Sequence, residues 1–123
     1  KEAKRVGGIT LIFSHPDSRS VGGSFEEMQQ MVKKGAYVEI CALGLLPSFQ
    51  RISPKDIVKT VREIGSEKCF LSTDFFFDWA PPPPEMLRMT IGALLSEGLS
   101  ENEIRHLVQL NPARILGIKT KIS

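Results

Sequence analysis

The sequence has 123 residues, 41% of them hydrophobic and 24% charged, which is the balance of one globular domain rather than of a disordered chain. Its 16 basic and 14 acidic residues leave a net charge of +2 spread along the chain, so the basic footprint of a nucleic-acid-binding protein is missing and nucleic acid is not an expected partner. No stretch approaches the roughly 18 apolar residues of a membrane span and nothing at the start resembles a signal peptide, so the expectation is a cytoplasmic protein without a membrane partner.

The chain starts at Lys1, and "KEAKRVGG" reads as the last turn of a basic helix running into a glycine stop, as if the sequence began inside a longer protein. "ITLIFS" (9–14) is apolar on both faces, the pattern of a strand in a sheet covered on both sides. His15-Pro16 ends it, because proline cannot donate to the ladder. Beyond the loop "DSRSVGG", Ser24 and Glu27 form a capping box, and Phe25, Met28, Met31 and Val32 keep helical spacing up to Gly35.

The pattern then repeats. "AYVEICAL" (36–43) predicts a second strand, and Ser53-Pro54 opens a helix with its stripe at Ile57, Val58, Val61 and Ile64, stopped by Gly65. "CFLST" (69–73) predicts a third strand, followed by the loop "DFFFDWAPPPP" and a helix over about 84–97 that Gly98 ends. "SENE" (100–103) caps another helix, and Pro112 starts a last short turn closed by Gly117. Cys41 and Cys69 lie inside apolar runs without C-x-x-C spacing, which fits reduced, buried thiols better than a disulfide or a metal centre.

The order β-α-β-α-β-α-α predicts an α/β fold with a parallel sheet and right-handed crossovers. Three strands apolar enough for complete burial leave open edges and a bare face, so the chain is expected to form one partial domain, residues 1–123, of an eight-stranded β/α (TIM-type) barrel. A small open α/β sheet is the alternative.

In parallel α/β proteins the chemistry lies at the carboxyl ends of the strands. Here His15 ends the first strand, Glu39 lies within the second and Asp74 ends the third. Strand alternation groups Leu11, Phe13 and His15 on one face, as it does Tyr37, Glu39 and Cys41, and Phe70, Ser72 and Asp74. An imidazole and a carboxylate are ordinary ligands for zinc and similar divalent ions, but two ligands are too few for a site, so the others would come from elsewhere in a longer protein.

Each of these residues also has a plainer use. His15 before a proline suits a strand-end turn, Asp74 suits a cap or loop start, and Glu39 faces either the site or the outer helices, depending on the strand's phase. Phe75, Phe76, Phe77 and Trp79 either line a substrate pocket or pack their loop onto the rim. Pro81–Pro84 suits a rigid lead into the next helix, His106 a surface position, and Gly22-Gly23 before a helix a weak anion site.

"IFSHPD" after a strand, "FLSTDF" and the closing "NPARILGI" occur in an order that resembles the last three β/α units, strands six to eight, of a metal-dependent amidohydrolase of the TIM-barrel superfamily. The resemblance spans about residues 7–118 and is nearest to an uncharacterised amidohydrolase-like subgroup with a serine/threonine-Asp last strand, a proline-rich loop and an "NPA" helix. It implies hydrolysis of a C–N, C–O or P–O bond in a small-molecule substrate with one or two divalent metals, most simply zinc. It further implies that His15 is a metal ligand or substrate-polarising group, that Asp74 binds metal and acts as general base, and that Asn111, Pro112 and Ala113 are structural. The His-x-His of strand one, the bridging lysine or carboxylate of strand four and the histidine of strand five have no counterpart here, so the chain would supply part of an active site. The competing expectation is a non-catalytic α/β module that binds a small ligand or protein at its strand ends, or self-associates as a homo-oligomer to cover its edges.

Overall fold

Alternation of apolar side chains along the strands decides which face of the sheet is covered. The computed structural model describes residues 7–19, 21–49 and 52–119. Three parallel strands, β1 (Ile12–Ser14), β2 (Tyr37–Cys41) and β3 (Cys69–Ser72), lie side by side in chain order. Phe13 pairs with Val38 and Val38 with Cys69, while Ser14 pairs with Glu39 and Glu39 with Phe70. Paired residues in a parallel ladder share a face. Phe13, Val38, Ile40, Cys69 and Leu71 therefore point to one side, into a single core with Met28, Ile57, Val61, Leu94 and Leu107 from the helices. Tyr37, Glu39, Phe70 and Ser72 point to the other side and are only half-buried.

The helices form where their caps predict. Helix α1 (Phe25–Lys33) and helix α2 (Pro54–Ile64) both open with a reciprocal capping box, Ser24 with Glu27 and Ser53 with Asp56. Helix α3 (Pro83–Ser96) follows the proline run, with Pro82 before it and Pro83 at its first position. Helix α4 (Glu101–Arg105) is capped by Ser100 and Glu103. Such caps contribute about 1 kcal/mol each. Gly35, Gly65 and Gly98 lie at φ of 94°, 96° and 97°, a conformation that stops a helix at little cost only for glycine.

Several boundaries differ from the sequence expectation. The first strand is limited to Ile12–Ser14 because it has a neighbour on one side only, leaving Ile9 and Ile12 exposed. The second ends at Cys41, where Ala42–Leu45 turns as a 3₁₀ segment, and the third ends at Ser72. Instead of a separate last turn, the chain stays helical from α4 through a π turn (His106–Leu110) into α5 (Asn111–Ile115). Pro112 has no N–H and its ring would strike the carbonyl one turn back, and the wider turn accommodates it, with Asn111 N–H bonding to His106 O. The phase of β1 is also corrected: Phe13 pairs with Val38, so Leu11 and Phe13 do not share the face of Glu39, and Ile12 and Ser14 do. The basic turn expected over residues 1–6 lies outside the described residues. Among the described residues no helix is long and apolar enough to cross a membrane.

One buried side chain ties the closing helix to the sheet. Asn111, wholly buried, donates through Nδ2 to Ser66 O at 2.7 Å and Cys69 O at 2.6 Å, the turn that leads into β3. Asn111→Ala strips the buried Cys69 carbonyl and the half-buried Ser66 carbonyl of their partner, so a loss of about 3 kcal/mol in urea unfolding is expected, against about 1 kcal/mol for the exposed cap change Ser100→Ala. Equal losses for the two variants would show that Asn111 is no anchor.

Candidate functional site

The carboxyl ends of β1 and β3 break in the same unusual way. His15 has φ of 36° and Asp74 φ of 55°, and among the described residues these are the non-glycine positions with positive φ. Left-handed backbone is uncommon outside glycine, is tolerated best by Asn, Asp and His, and clusters at functional positions. The turn at His15 matters because strand alternation alone would send its side chain to the helix-covered face. Instead, its ring lines an open cleft of about 280 Å³ together with Ser14, Glu39, Cys41, Ser72 and Asp74.

The floor of this cleft is the open face of the sheet. Glu39 lies on it, on the site side and away from the helices, and accepts a hydrogen bond from Ser14 Oγ at 2.6 Å. Its backbone carbonyl accepts from His15 N–H at 2.8 Å, which continues the ladder up to the turn. Cys41 Sγ and Ser72 Oγ lie 3.3 Å apart, joining β2 to β3, and Leu43 N–H donates to Thr73 O at 3.0 Å just below Asp74.

Charge in the cleft is one-sided. Burial pushes the Cys41 thiol up to about 11, against the Ser72 hydrogen bond, and the nearby Glu39, Asp74 and Asp17 carboxylates raise it further. Burial also pushes Cys69 up to about 12. Both thiols are therefore inert packing groups, as the sequence suggests. No lysine or arginine lines the cleft among the described residues. An imidazole and carboxylates in that field suit a divalent cation. Among the described residues, however, no three His, Cys, Asp or Glu side chains are grouped to hold one. His15 and Asp74 fit as two members of a ligand set and do not complete it.

Asp17 is the residue that sequence reasoning passed over. Ser18 N–H donates to His15 O at 3.2 Å, closing a turn with Pro16 and Asp17 at its centre, and this folds the Asp17 carboxyl under the strand ends. Burial pushes Asp17 up to about 6, although its own backbone amide and His15 lie close enough to temper the rise. Neither carboxylate oxygen makes a well-formed hydrogen bond. The signal was present in the quoted "HPD": a proline fixed at the second position of a turn directs the third residue back toward the first. Gly23 locks that turn from below, its N–H donating to Pro16 O at 2.8 Å, and an added Cβ would meet the same oxygen at 2.8 Å. Gly23 thus has a steric role, while Gly22 takes a left-handed φ of 66° with open space at its Cβ position.

Other expectations fall outside the cleft. Phe77 is the centre of an aromatic cluster, with ring centroids 4.0 Å from Phe76, 4.8 Å from Trp79 and 5.7 Å from Phe49. Phe75 and Trp79 are not among the described residues lining the cleft, and Phe77 stacks on Phe49 from outside the loop as well as on Trp79. His106 is half-buried at the π turn, with a buried Nδ1, and is not a surface residue. A hollow of about 380 Å³ lies between the starts of α1 and α2, lined by Arg19, Lys59 and Asp56. Asp17 also borders it, while Asp56 is held by Ser53, whose hydrogen bonds keep it below the usual carboxylate range, and the starts of both helices are closed by their capping boxes. The chemistry is concentrated in the smaller cleft.

Because Asp17 binds its proton more tightly in the folded chain than in the unfolded one, its own contribution to stability is most favourable below about pH 4, falls as pH rises through about 6, and is level above that. Asp17→Asn removes this cost and is expected to raise unfolding stability by about 2–3 kcal/mol at pH 8 and far less at pH 4. Equal effects at the two pH values in urea titrations would show that the carboxylate is not desolvated.

Comparison of the chain with protein-family models, with curated proteins and with solved structures gave no match, so function has to be argued from the chemistry of these residues.

Proposed function

We propose that this chain forms the last three β/α units of an amidohydrolase-like TIM barrel and carries part of the active site of a metal-dependent hydrolase. The observation that carries this reading is the pair of left-handed residues, His15 and Asp74, which follow two parallel strands and line one cleft with no lysine or arginine among the described residues that border it. The sequential strand order, with one helical layer on one face, supports it further, since a barrel wall is wound in one direction whereas open doubly wound sheets reverse. The half-buried second face and the open edge at β1 are where further strands would pack.

In this mechanism Asp74 takes the proton of the attacking water and returns it to the leaving group. His15 orients or polarises the scissile group, and Glu39, held by Ser14 Oγ, fixes the negative floor of the cleft. A divalent ion, with zinc the simplest choice, would be held by His15 and Asp74 with ligands from other strands, and when bound would supply Lewis-acid polarisation of the carbonyl or phosphoryl centre.

With the remaining barrel strands present, Asp74→Asn is expected to lower kcat by about 10²–10⁴-fold while metal content and fold are unchanged. Undiminished hydrolysis would remove Asp74 from the proton-transfer role. The open edge favours one competitor, a non-catalytic module that covers its sheet by self-association. A discrete oligomer of this chain in size-exclusion chromatography, with no divalent-ion binding by calorimetry in either the chain or the completed barrel, would select that reading.

A further inference from the structure

Unpaired buried polar atoms are rare in folded proteins and need a reason. Among the described residues, three of the four such side-chain atoms belong to one turn: Nδ1 of His15 and both carboxylate oxygens of Asp17. The fourth is Nδ1 of His106, in a different part of the fold. The two turn residues have complementary needs. A carboxylate only accepts hydrogen bonds, and a neutral imidazole can present its one N–H at either nitrogen.

His15 borders two adjoining cavities, and Asp17 borders one of them. His15 and Asp17 both line a small cavity of about 30 Å³, shared with Asp74 and Cys41, which is room for about one water. His15 also lines the open cleft with Glu39 and Asp74, and Asp17 does not. The turn that holds the pair is closed by the Ser18–His15 hydrogen bond and clamped by Gly23 under Pro16, so their relative position is set by backbone rather than by chance rotamers.

We infer that Asp17 is a positioning residue for His15: its carboxylate accepts the imidazole Nδ1–H, directly or through one water in the small cavity, and so presents the Nε2 lone pair to the open cleft. The partner of one ring nitrogen sets which nitrogen carries the proton, and this is how a histidine is committed to act as a ligand or base through the other. Without Asp17, His15 would be free to turn an N–H toward the cleft, where it could neither bind a cation nor take a proton. The assignment rests on the geometry of the turn and holds whether or not the cleft belongs to a hydrolase.

The test is the tautomer of His15, read from long-range ¹H–¹⁵N correlations of the imidazoles in the ¹⁵N-labelled chain at about pH 8, above the ordinary histidine pKa. The chain has 2 histidines, His15 and His106, which are told apart through their assigned backbones. His15 is expected to be protonated at Nδ1 in the native chain. Asp17→Ala is expected to move it to the Nε2–H form, whereas Asp17→Asn, which keeps an acceptor oxygen, retains part of the preference. Unchanged His106 signals report that the variants are folded. A native His15 protonated at Nε2, or a tautomer that Asp17→Ala leaves unmoved, overturns the inference. If Asp17→Ala does not fold, the native tautomer decides alone. Because the readout needs neither substrate nor metal, it can succeed or fail independently of the hydrolase proposal.

Discussion

Burial of Val38, Ile40, Cys69 and Leu71 against the helices fixes the phase of the sheet, and the candidate site depends on that phase. With side chains alternating at a period of two, committing these four residues to the core leaves Glu39, Cys41, Phe70 and Ser72 on the opposite face. A slip of one residue would bury Glu39 among Met28, Ile57 and Leu94, at a cost far beyond what any single contact could offset. The hydrophobic effect thus places the polar floor of the cleft without acting on it. Asn111 completes the arrangement from behind by holding the start of β3 to the closing helix, so that the strand leading to Asp74 has a fixed origin.

What the core determines stops at the ends of the strands. At His15 and Asp74 the backbone leaves the extended region for the left-handed one, and a conformation of that kind persists only where its surroundings enforce it. The enforcement at His15 is visible: the ladder hydrogen bond to Glu39 O before it, the turn closed by Ser18 after it, and Gly23 packed under Pro16. The stretch that carries the most chemistry is therefore also the one where the chain accepts local cost, in an unfavourable φ, a desolvated Asp17 carboxyl and unpaired imidazole and carboxylate atoms. Stability alone would select against each of these.

Much of this was legible in the sequence, and the boundary of legibility is physical. Caps are local: Ser24, Ser53 and Ser100, each with an acid three residues on, needed only neighbouring residues to be read, and all three form. The parallel order of the strands followed from the alternation of strand and helix. The phase of β1 did not, because "ITLIFS" is apolar at every position but Thr10 and Ser14, so either face could have been buried, and only pairing with β2 decides. His15 was placed at a strand end correctly but by the wrong route, since a left-handed turn rather than alternation brings it to the cleft. Asp17 was missed because its role comes from a turn and from burial, neither of which has a period. The aromatic run was ambiguous from the start, as a pocket lining and a self-packed loop share one composition, and the rings stack on Phe49.

Asp17 and Asp74 divide between them properties that one carboxylate cannot combine. Asp74 stands exposed at the cleft and open to solvent, as a group must be that meets a substrate and exchanges protons with it. Asp17 is largely buried in the turn after His15, its carboxylate oxygens unpaired and costly when charged, which suits a group that holds a neighbour. His15 and Asp74 line both the small cavity and the open cleft, and Asp17 lines the small one. The sheet supplies the separation: Asp74 comes from the end of β3 and His15 from the end of β1, so their approach is set by strand spacing, while Asp17 follows His15 through a turn too short to adjust. The desolvated carboxyl of Asp17 and the exposed one of Asp74 thus border the same small cavity from two different elements, and that difference in burial exists before any ligand arrives.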